Sequence, residues 1–251
     1  MRRFFRAIKR AVMKVIGGKA RVRHSSTVPV KPIDGADRVV MKGAKVAFVV
    51  GHNKRAQGAQ SFTWYDETGV PKSVSEFDYW SERFKIIQDK LHKDHSIYVP
   101  ILFRPERGGY GHECDTVAEE LKEMGADVSI HGHFNAAGYH VLGCECLIPE
   151  TASPLDNMIA DYITDLLNRD LGFKERGDDG VKEVPKKHRG SGMLYACKAE
   201  GIKASIIFEP AFGDVKNAES KILFQAPEKV DRVMINTVIA VVEGKLKDLD
   251  S

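Results

Sequence analysis

Short apolar, β-branched runs alternate with stretches of helical periodicity from Lys45 to Val242, and no other feature narrows the fold so far. Lys45–Val50 (KVAFVV) reads as a strand that ends at Gly51-His52. From Glu76 to about Lys93, Trp80, Phe84, Ile87 and Leu91 recur at helical spacing. Ile97–Phe103 reads as a strand, and Val117, Leu121 and Met124 mark a helix closed by Gly125. Strands follow at Asp127–His133 and from about Val141 to Ile148. Pro154 to Leu167 is helical, with Leu155, Ile159, Tyr162, Ile163 and Leu166 on one stripe. Lys203–Glu209 is a further strand, and Pro227 to about Val242 a last helix. Such alternation predicts an α/β fold: a single domain with a largely parallel twisted sheet and helices on both faces. A chain of 251 residues, 43% hydrophobic and 29% charged, suits one sizeable domain with a short appendage. No run approaches the ~18 apolar residues of a spanning helix. Internal repeats and a separate sugar-binding module are absent from the sequence pattern.

The formal net charge of +3 conceals a division. Residues 1–24 carry nine Lys or Arg and no acid, and subtracting nine from +3 leaves −6 for the rest. The sequence therefore divides into a basic amphipathic arm (1–24), a linker (25–43, with Pro29, Pro32 and Gly35) and a main domain (44–251). On a helical wheel Phe4, Phe5, Ile8, Val12, Val15 and Ile16 share one sector. Arg2, Arg3, Arg6, Lys9, Arg10 and Lys14 fill the other, and Gly17-Gly18 stops the helix. Charge interrupts any secretory h-region, so the arm is not read as a signal peptide. It reads as a membrane-surface element over residues 1–18, with Phe4, Phe5 and Ile8 inserting and Arg2, Arg3 and Arg6 meeting anionic headgroups. Two other readings stand beside it: docking on the main domain, and binding of nucleic acid by charge alone. No specific nucleic-acid partner is expected.

In open α/β sheets, ligands collect beyond the carboxyl ends of strands. Three predicted strands here end in ionisable residues: His52, the His131-Gly-His133 pair, and Glu209. Glu76 opens a helix, where the dipole favours its ionised form. Two imidazoles and a carboxylate suit one catalytic Zn²⁺ with a fourth position for water, and a further glutamate suits proton transfer. Side chains at 131 and 133 share a strand face, so either histidine fits this role.

GHN at Gly51–Asn53, the glutamate at Glu76 and His133-Phe134-Asn135-Ala136 resemble zinc-dependent N-acetylmuramoyl-L-alanine amidases. Gly143–Ile148 (GCECLI), Arg189-Gly190 and Phe208–Asp214 (FEPAFGD) are similar to phage members of that family. The resemblance covers residues 45–243 and makes residues 44–251 a zinc amidase catalytic domain. It implies cleavage of the amide between N-acetylmuramic acid and L-alanine in bacterial peptidoglycan. His52, Glu76 and His133 would be ligands of one zinc ion and Glu209 the catalytic base. His133 is chosen over His131 because it stands in the H-x-N-A context. The long His52–Glu76 separation leaves Glu82 as a rival for Glu76, and Glu67 as a weaker one.

Asn135 and Arg189 are candidate substrate contacts, Arg189 with Lys186, Lys187 and His188 against peptide carboxylates; a solvated basic loop is the plainer reading. Phe62, Trp64 and Tyr65 would either stack on sugars or pin the loop that carries them. Cys114, Cys144, Cys146 and Cys197 read as reduced, partly buried thiols. The expected biology is a bacteriophage endolysin, made in the host cytoplasm without a signal peptide and acting at the wall after release. A zinc carboxypeptidase or N-acyl amino acid amidohydrolase is the nearest enzyme alternative, although His52-Asn53-Lys54-Arg55 lacks the usual H-x-x-E pair. A non-catalytic wall-binding or virion protein is the alternative of another class.

Overall fold

A computed structural model describes residues 42–138, 141–177 and 179–246. The arm and nearly all of the linker, with Phe4, Phe5, Ile8, Arg2, Arg3 and Arg6, lie outside the described residues. Six strands form the main sheet: β1 (Val46–Val50), β4 (Ile101–Phe103), β5 (Val128–Gly132), β6 (Glu145–Pro149), β7 (Val181–Val184) and β8 (Ala204–Glu209). Their order is β4-β1-β5-β8-β6-β7. The first four run parallel, β6 is antiparallel to β8, and β7 is parallel to β6. A two-stranded hairpin, β2 (Trp64–Tyr65) and β3 (Pro71–Lys72), stands apart. Among the described residues the helices are α1 (Glu76–His95), α2 (Gly109–Glu123), α3 (Pro154–Leu171), α4 (Gly192–Ala199), α5 (Ala218–Gln225) and α6 (Glu228–Glu243).

Every residue of β1 and β5 is buried, as expected of strands covered on both faces. Alternate side chains divide the core. Phe48, Ile130, Ile206 and Phe208 pack with the α1, α3 and α6 stripes, among them Phe84, Ile159 and Val238. Val49 and Leu102 face α2 and α4 through Val117, Leu121, Met193 and Cys197. Burying a side chain such as Phe84 or Ile159 contributes about 1.5–3 kcal/mol. All four cysteines are free and buried.

Several boundaries differ from expectation, each for a local reason. The strand expected from Ile97 begins only at Ile101, because Ser96 adopts a left-handed conformation and Ile97 N–H still bonds Leu91 at the exit of α1. The strand expected from Val141 begins at Glu145, after exposed Leu142 and a Gly143 at φ 121°. α3 continues to Leu171, and Gly172 caps it. Before α6 the chain forms α5, started by an Asn217 capping box.

Candidate metal centre

The parallel strands β1, β5 and β8 deliver their chemistry to one end of the sheet. β1 is followed by Gly51-His52, β5 by His133, and β8 ends on Glu209. Between His52 and Glu76 the chain makes a long excursion that returns through a pairing of Gln60 with Ser75. Trp64 stacks on Phe224 at 5.2 Å, and Phe62 meets the same ring edge-on. Phe62 N–H also donates to Gly213 carbonyl at 2.7 Å. These aromatics pin the excursion, and Tyr65 beside them is exposed. Ser75 then caps α1 by accepting from Asp78 N–H, which sets Glu76 in the first turn.

One Glu76 oxygen joins the two histidines. Glu76 Oε2 lies 3.2 Å from His52 Nε2 and 3.2 Å from His133 Nδ1. His52, Glu76 and His133 each offer a ligand atom, all within 4.8 Å of one another. Glu76 Oε1 accepts from Ala59 N–H at 2.8 Å, and Oε2 also from Phe134 N–H at 3.2 Å. His52 Nδ1 lies 3.2 Å from the Ala56 carbonyl, an arrangement that leaves Nε2 to face the cluster. Burial works to raise the Glu76 carboxyl, but hydrogen bonds and charge from His133 and His52 outweigh it and hold it well below the usual carboxylate range. Burial pushes His133 down, against the opposing pull of Glu76. Cation binding needs such a carboxylate in its ionised form. Two nitrogens and one oxygen at this spacing could hold a metal ion, and the donor set suits Zn²⁺.

The neighbouring histidine does something else. His131 is buried, its Nε2 3.0 Å from Ser129 Oγ and 3.1 Å from Ser205 Oγ, and burial pushes its pKa down to about 3. Glu82 and Glu67 are both exposed and stand outside the cluster.

Glu209 has a carboxyl neighbour that sequence reasoning passes over. The antiparallel register sets Glu145 opposite Glu209. Burial first, then the charge and hydrogen bond of Glu145, push Glu209 up to about 8, with Arg176 pulling the other way. Asn135 Nδ2 donates to Glu145 Oε1 at 2.8 Å, so this candidate substrate contact is engaged within the protein. Arg189 is exposed; its neighbour Gly190 accepts from Tyr110 hydroxyl at 2.6 Å and lines a small cavity with His131, His133 and Arg104. Arg104 donates to the Gly51 carbonyl and pairs with buried Glu113, fixing the turn before His52. The sequence signal for Glu145 is its place in GCECLI, but only the strand register reveals what it faces.

No protein-family model and no curated protein matches the chain. Solved structures do. N-acetylmuramoyl-L-alanine amidase from Clostridium difficile 630 aligns at TM-score 0.58 and 17% identity, over 81% of this chain and all of that one. The catalytic domain of the CD27L endolysin, which targets Clostridia difficile, aligns at TM-score 0.56 and 22% identity, over 78% and 97%. The amidase Ami1 from Mycobacterium abscessus aligns at TM-score 0.58 and 14% identity, over 80% and 99%. The chain shares the α/β fold of these two N-acetylmuramoyl-L-alanine amidases and of the endolysin catalytic domain.

Proposed function

We propose that the protein hydrolyses the amide between N-acetylmuramic acid and L-alanine in bacterial peptidoglycan, as a zinc-dependent amidase of the phage-endolysin type. The observation that carries this reading is the meeting of His52, Glu76 and His133 within 4.8 Å on a fold shared with amidases. His52, Glu76 and His133 would hold the ion. Zinc bound there supplies Lewis acidity, polarising a carbonyl oxygen and lowering the pKa of water. Glu209, ending β8 on the same rim, takes a proton from the attacking water and returns it to the departing L-alanine nitrogen. Its raised pKa suits that exchange, because a carboxyl that titrates near neutrality can both accept and donate. The basic arm, in the same reading, brings the enzyme to an anionic envelope surface, and the enzyme acts on the wall after release from the cell that makes it.

Mass analysis of digested wall tests the reading. Cleavage should leave muramic acid with an intact lactyl group and a free L-alanine amine. Glu209→Gln should lower kcat by about 10²–10⁴ with zinc content unchanged. Products cut at a peptide or glycosidic bond would overturn the assignment, and wall binding without any product would make the chain a binding protein.

A further inference from the structure

Glu113 is 1% exposed in α2, and a buried carboxylate persists only where cations or donors meet it. Arginines meet both of its oxygens. Arg55 Nη2 donates to Oε1 at 2.7 Å, and Arg104 Nη2 donates to Oε2 at 2.5 Å. Each arginine leads to the turn 51–56, which carries His52. Arg55 belongs to that turn, and Arg104 donates its Nη1 to the Gly51 carbonyl where the turn begins. The Arg104 guanidinium also lies over the Tyr110 ring, 4.8 Å from its centroid. Between these two points, Asn53 Nδ2 donates to the Pro105 carbonyl at 2.9 Å, and Asn53 Oδ1 accepts from Ala56 N–H at 2.8 Å. The Ala56 carbonyl in turn stands 3.2 Å from His52 Nδ1. The His52 side chain is 25% exposed, so packing alone does not fix its ring. The ring takes its direction from a turn whose two ends are tied to one buried carboxylate.

We propose that Glu113 is a positioning residue for the metal-binding imidazole of His52. Through Arg104 and Arg55 it clamps both ends of the turn 51–56 and holds His52 Nε2 toward Glu76 before any ion arrives. The inference rests on the reading of His52 as a ligand of the ion proposed above. Glu113 itself stands outside the cluster of His52, Glu76 and His133, so it acts through the turn and not on the ion. Outer partners that orient a ligating histidine typically govern 10–100-fold in metal affinity. A turn held in its binding conformation loses little freedom when the ion binds, whereas a loosened one must be ordered at that moment. Charge-assisted bonds in a buried setting supply the stiffness that neutral ones on a surface would not.

The test measures the zinc dissociation constant of full-length protein by competition with a chromophoric chelator, and the melting of the metal-free protein in parallel. Glu113→Gln keeps the shape and one acceptor oxygen but turns an amide N–H₂ toward one arginine, so one arm of the clamp is lost. Its zinc dissociation constant should rise about tenfold or more. Leu121→Ala removes buried packing from the same helix without touching the clamp. It should lower the melting temperature and leave the zinc constant at the wild-type value, which separates positioning from mere stability. Arg55→Met, at a side chain more than half exposed, removes the outer arm alone and should weaken zinc by a smaller factor. It carries the test if Glu113→Gln fails to fold. A wild-type zinc constant in folded Glu113→Gln, or in Arg55→Met where the first variant does not fold, overturns the proposal. So does a Leu121→Ala protein that loses as much zinc affinity as Glu113→Gln. Wild-type protein that binds no zinc would instead overturn the reading of His52 on which the proposal stands.

Discussion

His131 and His133 are two residues apart, and strand geometry would point both the same way. They part because β5 ends at Gly132, where His133 N–H donates to the Phe208 carbonyl at 3.0 Å and its ring turns to Glu76. His131, one pleat earlier, stays under α2 and α4 with two serine hydroxyls. The two positions should therefore fail differently. His133→Ala should lose zinc while the protein stays folded. His131→Ala should keep a full equivalent of zinc but lose about 1–3 kcal/mol of stability, because Ser129 and Ser205 lose a buried partner. Metal analysis beside urea denaturation reads both. Zinc loss on His131→Ala, with His133→Ala retaining it, would reverse the assignment.

At the scale of elements, two strand ends depend on having no side chain. A Cβ on Gly51 would stand 2.2 Å from His133 Nε2, and one on Gly132 would stand 2.5 Å from Trp80 and 2.7 Å from Phe84. Gly51→Ala should weaken zinc binding and lower the melting temperature as well, because the added Cβ would press a cluster residue at the rim and would stand 2.5 Å from the Gly132 carbonyl of β5. Gly132→Ala should cost about 1–3 kcal/mol of stability, because it overpacks α1 against the sheet. Equal effects of both on zinc and on melting would refute this division. The stripe Trp80, Phe84, Ile87 and Leu91 makes α1 legible in the sequence, and the runs at β1, β5 and β8 do the same for the parallel core. Periodicity carries those elements because each buries a continuous face. α4 escapes it, since eight residues give too few turns to display a stripe. Glu209 and the histidines can be read as strand-end chemistry, whereas Glu145 cannot. What it faces depends on β6 running antiparallel to β8, and a strand's sequence does not state its direction. Glu76 lies between these cases: its helix start is legible, but the return of the long excursion that brings it to His52 rests on the Trp64–Phe224 stack.

Over the whole molecule, charge is divided as sharply as structure. The nine cations of residues 1–24 face a remainder with formal charge −6, so a basic arm precedes a domain that an anionic surface would repel. Residues 1–18 hold six of those cations: Arg2, Arg3, Arg6, Lys9, Arg10 and Lys14. On the membrane-surface proposal each would contribute about 1 kcal/mol near an anionic leaflet, and Phe4, Phe5 and Ile8 would add apolar burial. The described sheet and helices assemble their core from Ala44 onward. Deleting residues 1–18 should therefore leave hydrolysis of purified wall nearly intact. Sedimentation with vesicles rich in phosphatidylglycerol should fall sharply, and so should lysis of cells whose outer envelope is whole. Raising salt should remove most of the full-length protein's vesicle binding and leave the apolar remainder, because screening acts on the charge term alone. A truncated protein that is insoluble, or inactive on purified wall, would place the Phe/Ile stripe in the domain core. Undiminished vesicle binding after truncation would move the membrane-active surface to the main domain, residues 44–251, where its formal charge of −7 argues against it.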